Sequence, residues 1–569
     1  VIVMTERSRI PSTRVWVLSL LALAATAGPA MAQNDDPVAV PTLFATAHQC
    51  MNCHGTLTGP DGEDISIADH WQASMMAHAA RDPYWQAAVR REVLDHPTAA
   101  AAIEDTCARC HMPMARYQAN AEGRPGQVFG HLSGAKAKTE AEAEAVALAL
   151  DGVSCTLCHQ IQPDHLGEEA SFSGGFVIDT TLPQKQRPVF GPYETNPGTA
   201  TRLHTANGFV PVKADHLATS EVCATCHTLI TETLNEAGEV IGELPEQVPY
   251  LEWRHSAFAG AAGAGDARHC QDCHMPEVAG EAPISKLLAV PRQNVSRHIF
   301  RGGNFFMLRL LARYAKKLEV TAPPEALIRT AERTEAFLST ESARVTVDTT
   351  TGPEGRLVVE VAVENRAGHK LPTAYPSRRA WLHLTVKDGA GGVVFESGAL
   401  QPDGSIRGND NDADSTRYEP HYQQITQPDQ VQIYEAILVD PQGAVTTGLL
   451  RALAYTKDNR LLPAGFDKAS AEERIAVHGA AVEDQDFTAS GDRVTYRVDP
   501  AGATGPFTVA AELLYQPIAY RWADNLRAVD APETKRFVGY YDAMAGESAV
   551  VLAAGASTIG GVTGGEAGR

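Results

Sequence analysis

Apolar and polar positions follow two different rhythms along this chain, and the change falls near residue 340. Before it, helical periods are short: one runs over Ala141–Leu150, another over Pro324–Leu338 behind a Pro-Pro pair. Between them lie Pro- and Gly-rich connectors such as Leu182–Gly198, and strand patterns are few. After it, apolar residues alternate with polar ones and β-branched side chains multiply. This rhythm predicts strands over Ala343–Val347, Leu357–Val363, Trp381–Val386, Val393–Phe395, Val431–Val439, Val494–Val498 and Phe507–Leu514. Turn signals such as Asp388-Gly389 and Asp403-Gly404 separate them, which predicts an antiparallel β-sandwich-like domain. The expected class is α+β and multidomain. A mostly helical or irregular domain spans 33–340, the sandwich spans 341–520, and a C-terminal extension spans 521–569. The Gly- and Thr-rich tail after Ala553 is expected to be disordered.

Residues 1–32 read as a signal peptide. Arg7, Arg9 and Arg14 precede the short apolar stretch Val15–Ala27, and Ala30-Met31-Ala32 supplies the small residues for cleavage before Gln33. The stretch is short for a membrane span, so no stable span is expected after cleavage. Export to the periplasm or cell surface of a bacterium follows. The 569 residues carry 48 Lys+Arg against 69 Asp+Glu, a net charge of -21. Nucleic acid is thereby excluded as a natural partner, and a basic or neutral protein surface is favoured.

Chemistry enters with the cysteines. All ten fall into five Cys-x-x-Cys-His motifs: Cys50-Cys53-His54, Cys107-Cys110-His111, Cys155-Cys158-His159, Cys223-Cys226-His227 and Cys270-Cys273-His274. This spacing is the attachment signature of c-type haem. Two thiols three apart reach both haem vinyl groups from one turn, and the following histidine ligates the iron from the proximal side. Zinc is the competing reading, but its paired motifs usually sit about 12–20 residues apart. Here they are much farther apart, and each is followed by His. Five covalently bound haems are expected, and no cysteine remains for a disulfide. Five porphyrins would supply much of the apolar core of residues 33–340, making it a pentahaem domain.

A weak repeat runs through this region. Trp71-x-x-Ser74-x-x-Ala77 precedes the second motif and Trp253-x-x-Ser256-x-x-Ala259 the fifth, and both of those motifs continue Met-Pro. His78 follows directly in the first copy, where the second has Gly260. The run from Trp71 to Trp85, together with Gly152–His159, Ser220–His227, Arg297–Asn304 and Gly368–Thr373, resembles multihaem c-type cytochromes related to the tetrahaem electron-transfer cytochrome associated with hydroxylamine oxidation. The resemblance implies electron transfer through stacked haems, mostly with two histidine ligands each, and assigns no substrate.

The sixth ligand separates a wire from an enzyme, because an open iron position permits substrate binding. His78, His216 and His298 are the first candidates, each within or just beside a segment shared with that family. His369, in a Gly-His-Lys-Leu-Pro turn, is next, and His131 is the fifth, with His48, His165, His255 and His269 competing. Arg297, Arg301, Arg378 and Arg379 are candidates to pair with haem propionates. Asp410, Asp412 and Asp414 alternate as calcium ligands do, but Ser415 and His421 stand where an EF-hand needs Gly and Glu, so a solvated acidic loop is expected. The expected function is electron transfer between redox partner proteins, with self-association compatible. The alternative is a multihaem oxidoreductase acting on a small nitrogen or sulfur species at one five-coordinate haem. Against it, no motif has the Cys-x-x-Cys-Lys form.

Overall fold

The computed structural model describes residues 40–260, 267–288 and 290–560. The expected signal peptide lies outside them. The sandwich forms where period two predicted it. One sheet orders Val393–Ser397, Arg379–Lys387, Phe507–Gln516 and Val550–Ile559, with Ile433–Tyr434 extending the outer edge of Arg379–Lys387. The other orders Gln424–Ile425, Asp492–Val498, Leu357–Asn365 and Ala343–Thr351. Pairing is antiparallel except for Gln424–Ile425 on Asp492–Val498. Val359, Val361, Val363, Val494 and Tyr496 from one sheet join Leu382, Leu384, Val386, Val509 and Leu513 from the other in a single core.

Two strand expectations change. Val431–Val439 splits at Glu435: Ile433–Tyr434 stays in the sandwich, while Ala436–Val439 joins Val445–Thr446 and Ala454–Asp458 in a separate three-stranded sheet. The Glu435 carboxylate turns to buried Lys457 at 2.9 Å, and its N–H donates to Asn459. The segment after Ala553, expected as a disordered tail, continues the ten-residue strand Val550–Ile559 as far as Ile559. Its small Ala, Gly, Ser and Thr residues conceal the alternation, and they are needed there. A Cβ on Gly555 would meet the Val345 carbonyl at 3.0 Å. Residues 561–569 lie outside the described residues.

The motif-bearing part is built from short helices and turns, with the hairpin Leu229–Leu234/Val240–Gln247 as its longest sheet. Its apolar core is continuous with that of the β part. The helix Pro83–Asp95 starts at Asp82, whose carboxylate accepts from the Tyr84 and Trp85 N–H groups, and has Pro at its first position. This helix packs on Pro532–Asp542 from the C-terminal extension, with Arg90 bidentate on Glu533 and Tyr84 at 5.0 Å from Phe537. Phe305–Arg313, almost wholly apolar, fills the space between Pro324–Glu341 and Tyr541. Among the described residues no helix is long and apolar enough to cross a membrane.

Candidate haem attachment and ligand sites

Each motif sits on one short turn of helix, as in His48–His54, Ala100–His111, Cys155–Cys158, Ser220–Ala224 and Cys270–His274, or just beyond it. All ten thiols are free, and among the described residues no cysteine joins a cluster of three or more ligands compact enough to hold a metal ion. A zinc tetrad is therefore not assembled. Instead the thiols adjoin in pairs across motifs: Cys50 with Cys155, Cys110 with Cys226, and Cys223 with Cys270. Cys158 also feels the charge of Cys226. The first attachment turn thus adjoins the third, and the fourth adjoins both the second and the fifth.

Four of the five proximal histidines are oriented by backbone. His54 offers Nδ1 to the Ile284 carbonyl at 2.6 Å, His159 to Phe190 at 2.6 Å, His274 to Arg301 at 2.6 Å and His111 to Ala79 at 3.1 Å. A carbonyl can only accept, so Nδ1 carries the proton and Nε2 keeps its lone pair for a metal. Burial pushes the imidazoles of His111 and His274 down to about 4. They are neutral at physiological pH, the form that ligates iron.

Two of these rings face a remote histidine. His159 and His298 have ring centres 6.5 Å apart with planes 14° from parallel, and His274 and His369 are at 6.3 Å and 12°. Imidazole nitrogens sharing one metal ion from opposite sides lie about 4 Å apart, which places the ring centres about 6 Å apart. Both pairs match. Burial lowers His298 to about 3 and lowers His369 as well. The residues present therefore fit an iron held between two histidines at the third and fifth motifs.

The fold has a solved counterpart. It is similar to a penta-haem cytochrome c552 from Thermochromatium tepidum, with a TM-score of 0.51 over 91% of this chain and 100% of that one, at 17% sequence identity. No protein-family model and no curated protein matches the chain. At this identity the likeness speaks for the fold.

The other predicted ligands stand apart from these pairs. His78 is fully buried with both ring nitrogens unpartnered, and burial lowers it to about 3. His131, on the turn Phe129–His131, has a buried and unpartnered Nδ1. His216 gives Nε2 to the Ile161 carbonyl at 2.8 Å and lies edge-on to Phe190. Of the competitors, His255 bonds the Leu251 carbonyl, His269 faces Ser220, and exposed His165 faces Glu168. Two further histidines, His70 and His96, are buried with neither ring nitrogen hydrogen-bonded, although His70 Nε2 lies 3.7 Å from an Asp64 carboxylate oxygen. Nothing in their sequence neighbourhood marked them out. Trp85 was also missed: its ring lies 4.4 Å from His111, stacked within 5° of parallel.

The arginines divide. Arg379 is buried and bidentate on Asp412 at 2.8 and 3.0 Å, so it faces the sandwich rather than a propionate. Arg297 pairs with Glu63, Arg378 donates to the Thr373 carbonyl, and Arg301 donates to the Cys273 carbonyl while lying over Phe337. The acidic run is neither a calcium loop nor a fully solvated one. Asp412 is spent on Arg379, Asp410 on Arg417, and Asp414 accepts from Thr416.

Proposed function

We infer that this chain is an exported pentahaem c-type cytochrome that carries electrons between redox partner proteins. The observation that carries this reading is the pair of near-parallel histidine couples, His159/His298 and His274/His369, each joining a Cys-x-x-Cys-His motif to a distant segment. A haem held there supplies a one-electron change at its iron. The chain's part is to fix it. The thiols of each motif would tether it, the Nδ1-to-carbonyl bonds hold the His54, His111, His159 and His274 rings in one tautomer and orientation, and the remote histidine would supply the second ligand.

The adjoining thiols support an order of transfer. Motifs one and three adjoin through Cys50 and Cys155, motif four adjoins both two and five, and Cys158 of motif three is near enough to Cys226 of motif four to feel its charge. Motif four is then a junction. His78, with both ring nitrogens unpartnered, and His131, with its Nδ1 unpartnered, are the ligands we assign to further haems, and His216 could take part through Nδ1 alone. The acidic surface fits a basic or neutral protein partner, and covalent haem attachment fits a periplasmic or extracellular location.

The test is a pyridine haemochrome assay for covalent haem per chain, with electron paramagnetic resonance of the oxidised protein. Five haems, all low-spin, support the wire. About one high-spin haem per chain would favour the oxidoreductase alternative, and no covalent haem would overturn both.

A further inference from the structure

Resting on the haem reading above, we propose that the chain contains one haem clamp built twice, and that Trp71 and Trp253 are its equivalent positioning residues. Sequence order links the Trp71 unit to the second motif, because that motif comes next. In space it serves the third. The Trp71 indole N–H donates to the Val153 carbonyl at 2.8 Å, and Val153 stands two residues before Cys155. The Trp253 indole N–H donates to the Arg268 carbonyl at 2.8 Å, and Arg268 stands two residues before Cys270.

The correspondence extends to the backbone. The Val153 N–H donates to the Met76 carbonyl at 3.0 Å, and the Arg268 N–H to the Phe258 carbonyl at 2.9 Å. Met76 and Phe258 each stand five residues after their tryptophan. In both units the serine three residues after the tryptophan returns its N–H to the tryptophan carbonyl at 2.9 Å. Both polar groups of the residue that leads into the haem motif are thus gripped from the same two places. The grip fixes where the cysteine turn starts, and with it where His159 or His274 points.

Each clamp also receives the segment that brings the opposing histidine. Phe300 packs on the cluster of Trp71 and Ala77 and lies 5.7 Å from His298. In the second copy a Cβ on Gly368, the residue before His369, would lie 3.4 Å from the Phe258 ring and 3.5 Å from Trp253. The two segments come from unrelated parts of the chain, one from the motif-bearing half and one from the β half. Their shared docking platform accounts for both histidine couples having nearly the same spacing. The copies diverge seven residues after the tryptophan, at His78 and Gly260. With His298 already facing the third motif, His78 is surplus to its own clamp and free for another.

The test uses the full haem-loaded protein. Trp71→Phe and Trp253→Phe keep an aromatic ring and delete the indole donor; His298→Ala and His369→Ala identify which paramagnetic signal belongs to which couple. Trp71→Phe is expected to shift the g-values and midpoint potential of the haem that His298→Ala converts to high-spin, leaving the other couple unchanged. Trp253→Phe is expected to do the same for the His369 haem. Should either tryptophan variant fail to accumulate, Phe300→Ala and Gly368→Val perturb the same platforms from the other side, with the same one-to-one expectation. Signals that move together, or not at all, overturn the clamp. Absence of covalent haem in the wild-type chain would instead remove the haem reading itself.

Discussion

The turn that carries His369 rests on a buried set of four charges, and removing one should be costly. Lys370 Nζ reaches Asp458 at 2.7 Å, and Arg460 holds both oxygens of the same carboxylate at 2.7 and 2.8 Å. Arg460 also reaches Glu252 at 2.9 Å, and Glu252 accepts from the Lys370 N–H and the Thr373 hydroxyl. Lys370 and Glu252 have no exposed surface at all, and Asp458 keeps 2%. Two cations face two anions, so the set is neutral. Asp458→Asn leaves it with one buried positive charge in excess, a change that costs about 3–5 kcal/mol. Adding Lys370→Met restores the balance of one cation against one anion and should recover at least about 2 kcal/mol of that loss. Urea unfolding followed by circular dichroism measures both variants. The Soret and paramagnetic spectra report whether His369 still faces His274. A cost below about 1 kcal/mol for Asp458→Asn, or no recovery in the double variant, would refute the claim that these charges depend on one another.

Three more outcomes follow from the same reasoning. Burial raises the Glu246 carboxyl to about 7, against one hydrogen bond from Thr231, so the folded chain holds a proton that the unfolded chain releases near 4.5. Stability should therefore fall as the pH rises from about 4.5 to 7, by about 3 kcal/mol in total. Glu246→Gln should flatten that stretch of the stability-versus-pH curve, and an unchanged slope would contradict it. Trp85→Leu removes the ring stacked on His111, which should cost about 0.5–1.5 kcal/mol beyond lost burial. It should also alter the spectrum of the second-motif haem alone, as read by paramagnetic resonance. His421, Asp484 and Asp492 look like a metal site, being buried and close together. Gln432 and Asn459 both donate to His421 Nδ1, and their orientations are fixed by backbone partners at Tyr422, Glu435 and Ile433. Nε2 then keeps its proton and donates to Asp484, so added zinc or a chelator should leave the melting temperature unchanged.

The parts legible in the sequence were those written in local spacing. The five motifs needed only the interval between two cysteines and a histidine. The strands from Ala343 to Phe507 announced themselves through β-branched alternation. The strand Val550–Ile559 did not, because a surface packed this tightly takes Ala and Gly, whose pattern reads as loop. The two remote histidines that come to face a motif histidine, His298 and His369, were singled out only because their segments resembled a known family. Their spacing from His159 and His274 is set by folding across more than a hundred residues in one case and nearly as many in the other, which no local pattern encodes. The repeat was visible as Trp-x-x-Ser-x-x-Ala, but the motif it serves was not. Chain order named the second motif; the indole of Trp71 reaches the third.

The adjoining thiols constrain how such a protein can be made. Cys50 and Cys155, Cys110 and Cys226, and Cys223 and Cys270 meet across motifs in the finished fold. In an oxidising compartment, neighbouring thiols become disulfides unless something claims them first. A chain that reached this shape there with its cysteines bare would staple motif to motif and lose the groups that, on the proposed reading, tether haem. On that reading, loading has to run ahead of compaction. Each turn has to be capped while the polypeptide is still open, and the order in which the segments emerge becomes as much a part of the design as the residues themselves.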